Sequence, residues 1–477
     1  MANRRRITVL RIRAAGHHPS RLAGFLLALF SLATPALAGP PNDQAKTLVR
    51  LHDPVVIRTS LLPDLPDHVT ASYRLYGARR GALEPIPFQF DERDRDGELV
   101  LSDGGTDADF TFDDNDELVF MAKDTGDRVG TIELPGADAA LEIEVTDPPH
   151  AERGWVYLVH FPVDPPPRSA IRYATFDAAR QEARALFYQV SYSHDRSNFL
   201  ESVSVAPEAG GTGEPLIKRI TMRVNPTFSF LGATWGTTFT EESFSVVPDG
   251  MKNGPVRAVR RLRQSLDLGR WCPDIPNGKV YTYYYFSSFT TPSTFSVPWL
   301  VLKALQGFRF ESIDQLAPQT TTMRYWDGAN PEGVPFSAGN RPVASDGDHD
   351  WWVMSGSEGT CLQTLAIPAP WRTWGITRGI VFQDGGAAEP GSSRDVGAGY
   401  SLLGMTNLRA PGDYEIDSAM IVLPRPYRIG DEAEALAMLR TPLQTRMRPV
   451  AISGAELAGS ATSIPQRRSA FGLQSLP

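Results

Sequence analysis

Cysteine is the scarcest useful residue in this 477-residue chain: there are two, Cys272 and Cys361. Two thiols cannot make a zinc ribbon or a disulfide framework, and they leave room for one bridge at most. In an oxidising compartment the expectation is that they pair. No G-x-S-x-G elbow, H-E-x-x-H helix, P-loop or dinucleotide-binding glycine fingerprint occurs, which argues against serine hydrolase, zincin, NTPase and dehydrogenase chemistry. Beyond residue 38 no run of about 18 apolar residues exists, so no membrane-spanning helix is expected there. Long helices are disfavoured too, since 39 prolines are spread along the chain.

What the first 38 residues do contain is a basic start and an apolar run. Six arginines and no acidic residue precede or flank a stretch from Leu22 to Leu37, which ends in Ala36-Leu37-Ala38 before Gly39. That is the layout of an export signal, and it predicts a periplasmic or extracellular protein. Without those residues the chain carries 41 basic against 55 acidic side chains, a net of −14. Bulk charge of that sign excludes nucleic acid as an electrostatic partner.

The rest reads as strands. Short β-rich or alternating segments recur at 54–58, 70–76, 87–90, 117–121, 140–145, 155–161, 221–224, 239–247, 256–266, 280–289 and 418–423, separated by Gly, Pro, Asp and Asn. Helical patterns are limited to 176–186 and 431–439. The predicted fold class is all-β, with packed antiparallel sheets in a β-sandwich and few short helices. All nine tryptophans lie at or beyond Trp155, whereas acidic residues concentrate before it. This predicts a small acidic β domain over 39–150, a larger aromatic-rich sandwich over 151–452 and a disordered tail over 453–477.

Residues 91–127 hold 14 acidic and three basic side chains. Within them Glu92, Asp94 and Asp96 alternate, Gly97 follows, and Asp103 stands six further on. That order matches a twelve-residue calcium loop, with hard oxygens at alternate positions and a glycine at the sharp turn. Pro85 and Pro87 stand where an incoming helix would be, so the expected calcium site is on a β scaffold rather than an EF-hand. A solvated acidic loop between strands is the plain alternative. The stretch PIPFQFDE…DG…DDNDELVFMAKDTGDR resembles the N-terminal part of exported bacterial proteins related in style to galactose-mutarotase-like super-β-sandwich proteins, an architecture shared with polysaccharide lyases. The resemblance implies fold and location and brings no catalytic motif with it.

In the larger part, Tyr281, Tyr283 and Tyr285 alternate on one strand face, and Trp326, Trp351 and Trp352 lie among turn residues. Aromatic faces stack on sugars, so Trp326, Trp351, Trp352 and Tyr283 are candidate glycan contacts; packing into a β core is the competing role. Arg257, Arg261 and Arg263 share a strand face and make a basic strip suited to carboxylates or sulfates, or to pairing with neighbouring acidic strands. A lyase would need a base and a cation, for which His194, His349 and Arg257 are the candidates. Three functions stay open at this point: a glycan-binding or surface-associated protein with structural calcium, a carbohydrate-active lyase or hydrolase, and a periplasmic assembly partner.

Overall fold

Strand Glu117–Met121 is buried at every position, and both of its faces explain why. Leu118 and Phe120 point into one apolar core with Val55, Ile57, Phe88 and Phe90, while Val119 and Met121 point into another with Tyr173, Val256, Tyr285 and Phe286. A strand covered on both sides reads as a continuous apolar run, as this one does. The computed structural model describes residues 44–63, 65–101, 111–195, 199–266, 275–297, 299–316, 323–335, 342–344, 348–383, 398–405 and 410–453.

Glu117–Met121 is the middle strand of a three-stranded sheet, between Pro54–Arg58 and Gln89–Asp91. Against it packs a five-stranded sheet in the order Gln444–Pro449, Ala139–Asp147, Glu152–His160, Tyr73–Arg79, Ala82–Pro85. Alternation decides the facing: Leu141, Ile143, Val145, Val156 and Leu158 fill the shared core, and Trp155, Tyr157 and Val159 line the opposite face with Ile132. The domain boundary expected near residue 150 instead falls in the turn of the 139–160 hairpin, whose strands pair over nine positions. The strand Gln444–Pro449 also returns to this sheet, where it pairs with Ala139–Asp147.

Beyond these lies a sandwich of two large antiparallel sheets, of eleven and nine strands among the described residues. Its main core joins Phe176, Tyr188, Val190 and Val203 of the first to Tyr284, Phe289, Trp352, Met354, Cys361 and Met420 of the second. The expected all-β class is what the structure has. Helix Asp431–Arg440 forms where predicted and lays Ala435 and Leu436 on the outer face of the nine-stranded sheet. The helix expected over 176–186 is a hairpin of Ala174–Asp177 and Glu182–Ala185. Asp177 Oδ1 accepts the N–H groups of Ala179 and Arg180 and closes the turn, and Phe176 and Ala183 enter the sandwich core. The single strand expected over 280–289 is two, Ile275–Tyr284 and Ser288–Val297, joined at Tyr285-Phe286-Ser287.

Inside the sandwich, Asp314 of strand Leu305–Leu316 faces Gln363 of strand Gly359–Ala366, whose Nε2 donates to Asp314 Oδ2 at 2.7 Å. Burial pushes this carboxyl up to about 7, against the small opposing effect of that hydrogen bond. Two residues along, Cys361 is a buried free thiol, raised by the same burial and by Asp314. Its expected partner, Cys272, lies outside the described residues.

Candidate functional site

The acidic loop and the arginine strip meet. Strand Ala258–Leu266 pairs with Ile275–Tyr284 so that Arg261 stands opposite Tyr281, Arg263 opposite Lys279 and Val259 opposite Tyr283. Strand alternation puts these residues, with Arg257 just ahead of the strand, on the face that meets Gln89–Asp91 and the hairpin of residues 92–100. Arg260, of opposite parity, faces the sandwich core instead, with its guanidinium 3.7 Å from the Tyr192 ring centre.

At the inner end the seam is sealed. Arg257 is buried and ion-pairs with Asp91 at 2.7 Å and Glu117 at 2.8 Å, and its Nη1 donates to the Tyr285 hydroxyl at 3.2 Å. Lys252 Nζ lies 3.3 Å from the other Asp91 oxygen, and Arg93 holds the second Glu117 oxygen at 2.6 Å. Gln89 ties the layers together. Its Nε2 donates to Asp91, and its Oε1 accepts the N–H groups of Val256 and Arg257 at 2.9 and 3.0 Å. A Cβ at residue 254 would sit 2.0 Å from that Gln89 oxygen, which is why glycine is required there. Burial alone would depress the Arg257 guanidinium, but Asp91, Tyr285 and Glu117 hold it above the ordinary arginine value. Asp91 is held low: burial opposes ionisation, and Arg257 and Lys252 overcome it. Every charge here has a partner, so this end is a structural lock rather than a reactive site.

The outer end is half open. Glu98, with 29% of its side chain exposed, receives Lys279 Nζ at 2.8 Å, the Tyr281 hydroxyl, and Arg261 Nη1 at 3.5 Å. Asp249 bridges Arg261 and Arg263 at 2.7 Å each. The Tyr281 and Tyr283 rings stack 5.9 Å apart at 13°, and Arg257 covers the Tyr283 ring at 4.9 Å. Burial and Glu98 push the Tyr281 phenol up to about 12 against the pull of Arg261, so it keeps its proton at neutral pH. Glu98 goes the other way: burial would raise it, and Lys279 and Tyr281 bring it below the usual glutamate value.

The hairpin that delivers Glu98 accounts for much of the acidic spacing. Arg93 bridges to Leu99, Gly97 takes φ +80°, and Asp94 Oδ1 accepts the N–H groups of Asp96 and Glu98 at 2.9 Å each. Alternating carboxylates around a glycine are thus also what a capped turn needs. Among the described residues no group of three or more His, Cys, Asp or Glu side chains is placed to hold a metal ion. Asp103, the fourth expected calcium ligand beside Glu92, Asp94 and Asp96, lies outside them. Asp113 and Asp116 likewise serve turns: Asp116 accepts the N–H groups of Arg93 and Asp113.

Of the residues singled out in the sequence, Arg257, Arg261, Arg263, Tyr281, Tyr283 and Tyr285 come together here, and the tryptophans and histidines do not join them. Trp352 is buried in the sandwich core beside Tyr325, whereas Trp351 and Trp326 pack with Tyr427 on the sheet's outer face under helix Asp431–Arg440. His194 is exposed in a loop, and His349 packs on Gly328 beside Asp348 and Asp350, which pair with Arg378 and Arg440. Neither histidine joins Arg257, whose charges are already taken. Glu98, Lys279, Tyr281 and Asp249 were not foreseen as a group; the alternation of Lys279, Tyr281 and Tyr283 opposite the arginine strip is the signal that could have found them.

No protein-family description matches this chain, and no curated protein does. Two similar solved structures are an alpha-mannosidase from Enterococcus faecalis V583 and a protein of glycosyl hydrolase family 38 from Enterococcus faecalis, each 10% identical. Their TM-scores are 0.45 and 0.42, over 86% and 85% of this chain and 46% of each of theirs. The chain therefore spans less than half the length of either. Both neighbours are named for carbohydrate enzymes; neither a galactose-mutarotase-like family nor an exported one is named, and at this level of similarity no activity carries over.

Proposed function

We propose that this chain is an exported protein that binds acidic glycans at the outer end of the seam, in the periplasm or outside the cell. The observation that carries the reading is the Glu98 carboxylate. A lysine ammonium, a tyrosine hydroxyl and an arginine converge on it beside a stacked tyrosine pair, as they would on a uronate. In the unliganded protein Glu98 holds that subsite itself. A ligand carboxylate replaces it when the hairpin shifts, with the Tyr281 ring alongside for the sugar, while Tyr283 stays beneath Arg257. Binding is favoured over lyase chemistry because neither His194 nor His349, the imidazoles considered as bases, reaches this seam.

Calorimetric titration with uronic-acid oligosaccharides, and with neutral ones as controls, tests the proposal. Glu98→Gln is expected to tighten binding of the acidic ligand, and Arg261→Met to abolish it. No heat with any acidic oligosaccharide in either the wild type or Glu98→Gln, or equal affinity for neutral ones, would overturn it.

A further inference from the structure

A different part of the molecule carries a second surface. Strand Pro215–Phe230 turns into Ala233–Gly236 through Leu231-Gly232, with Phe230 opposite Ala233. Both loop residues have positive φ, +50° at Leu231 and +84° at Gly232. That is the tight hairpin turn in which Asn-Gly is the favoured pair. Here the first place holds a leucine, in a backbone conformation that L residues avoid, with 91% of its surface exposed. Beside it Trp235 is 49% exposed and packs on Phe228 at 5.9 Å. Helix Trp299–Ala304 lies against the stem of the same hairpin; its Trp299 is 55% exposed, and Lys303 Nζ sits 4.4 Å from that ring.

Charge is absent from the hairpin turn and its flanks, and Lys303 is the one charged residue of the helix. Residues 224–240 contain no Asp, Glu, Lys or Arg, and neither do residues 280–302, in a chain that is 21% charged. From these observations we infer that the hairpin tip and Trp299 form a membrane-contacting edge that inserts into the headgroup–acyl boundary of a lipid bilayer. The chemistry fits a bilayer better than a protein. A two-residue tip buries far less than the roughly 800 Å² per partner of a stable protein interface, and the polar groups that flank it are neutral hydroxyls such as Ser229 and Thr234. Tryptophan with a neighbouring lysine is the pairing that suits a membrane–water boundary, ring in the apolar layer and ammonium towards water. The acidic surplus of the chain gives no attraction to anionic lipid, so the contact is apolar and insensitive to salt. This inference is independent of the glycan site.

Flotation of the exported protein with phosphatidylcholine vesicles at low and high salt tests it. The wild type is expected to float in both. Leu231→Asn keeps the turn preference, so its unfolding midpoint is expected to hold or rise, while vesicle binding falls on the order of tenfold. Trp235→Ser is the second variant and is expected to weaken binding in the same way. Failure of the wild type to float, loss of flotation in high salt, undiminished flotation of both variants, or a stoichiometric protein complex formed through the tip in place of vesicle binding would each overturn the inference.

Discussion

Arg257 and Arg261 stand four residues apart, face the same way and both meet carboxylates, yet they do different work. Arg257 is sealed between two packed sheets with Asp91, Glu117 and Lys252, and every polar group around it is matched. Arg261 reaches the rim, where it shares Glu98 and Asp249 with Lys279 and Arg263 and water has access. In the buried position the desolvation cost has been met by fixed partners, so removing one strands the others. At the rim, solvent screens each pair and partners can be exchanged. The comparison teaches that a basic strip on one strand divides into lock and site according to what covers it.

The largest expected effect breaks the lock. Arg257→Met leaves Asp91 and Glu117 buried without their main partner, and urea unfolding is expected to show a loss of about 3–5 kcal/mol. Asp314 supplies the opposite case, a buried carboxyl that among the described residues has no cation beside it and one neutral partner, Gln363. Its folded-state pKa lies above the unfolded value, so the protein is most stable where the group is protonated in both states, and that stability is lost as pH rises from about 4 through about 7. Asp314→Asn keeps a partner for Gln363 and is expected to raise stability by about 2–4 kcal/mol at pH 8 and by little at pH 4. Equal gains at both pH values would assign the effect to packing.

At the rim, Arg261→Met is expected to cost less than about 1 kcal/mol in the same unfolding measurement. A loss as large as that of Arg257→Met would erase the distinction between lock and site. The smallest effect concerns the hairpin. Since Asp94 already closes the turn with backbone N–H groups, calcium added after EDTA is expected to move the unfolding midpoint by no more than about 1 °C. A larger, calcium-selective rise that disappears in Asp94→Ala would establish Glu92, Asp94, Asp96 and Asp103 as an ion site.

Much of the fold was legible because alternation and turn residues act over a few positions. Strands at 54–58 and 117–121 fall where the pattern put them, and so does the helix that begins at Asp431. The 176–186 segment misled because its alanines and leucine suit a helix, while the deciding features were the Asp177 turn and the pairing of two strands. The site was legible in part. The arginine strip and the tyrosine alternation were visible as patterns, but Glu98 looked like one more charge in an acidic run.

By itself the sequence determined the β character, the acidic surplus and the parity that places Arg257, Arg261 and Arg263 on one face, since these follow from local backbone geometry and composition. Only the tertiary structure decided that Arg257 is sealed and Arg261 open, that Trp351 and Trp352 serve different cores, and that Glu98 meets Lys279 across 181 positions of sequence. The physical reason is that burial and charge pairing are properties of neighbours brought together by sheet packing, and local sequence carries no record of those distances.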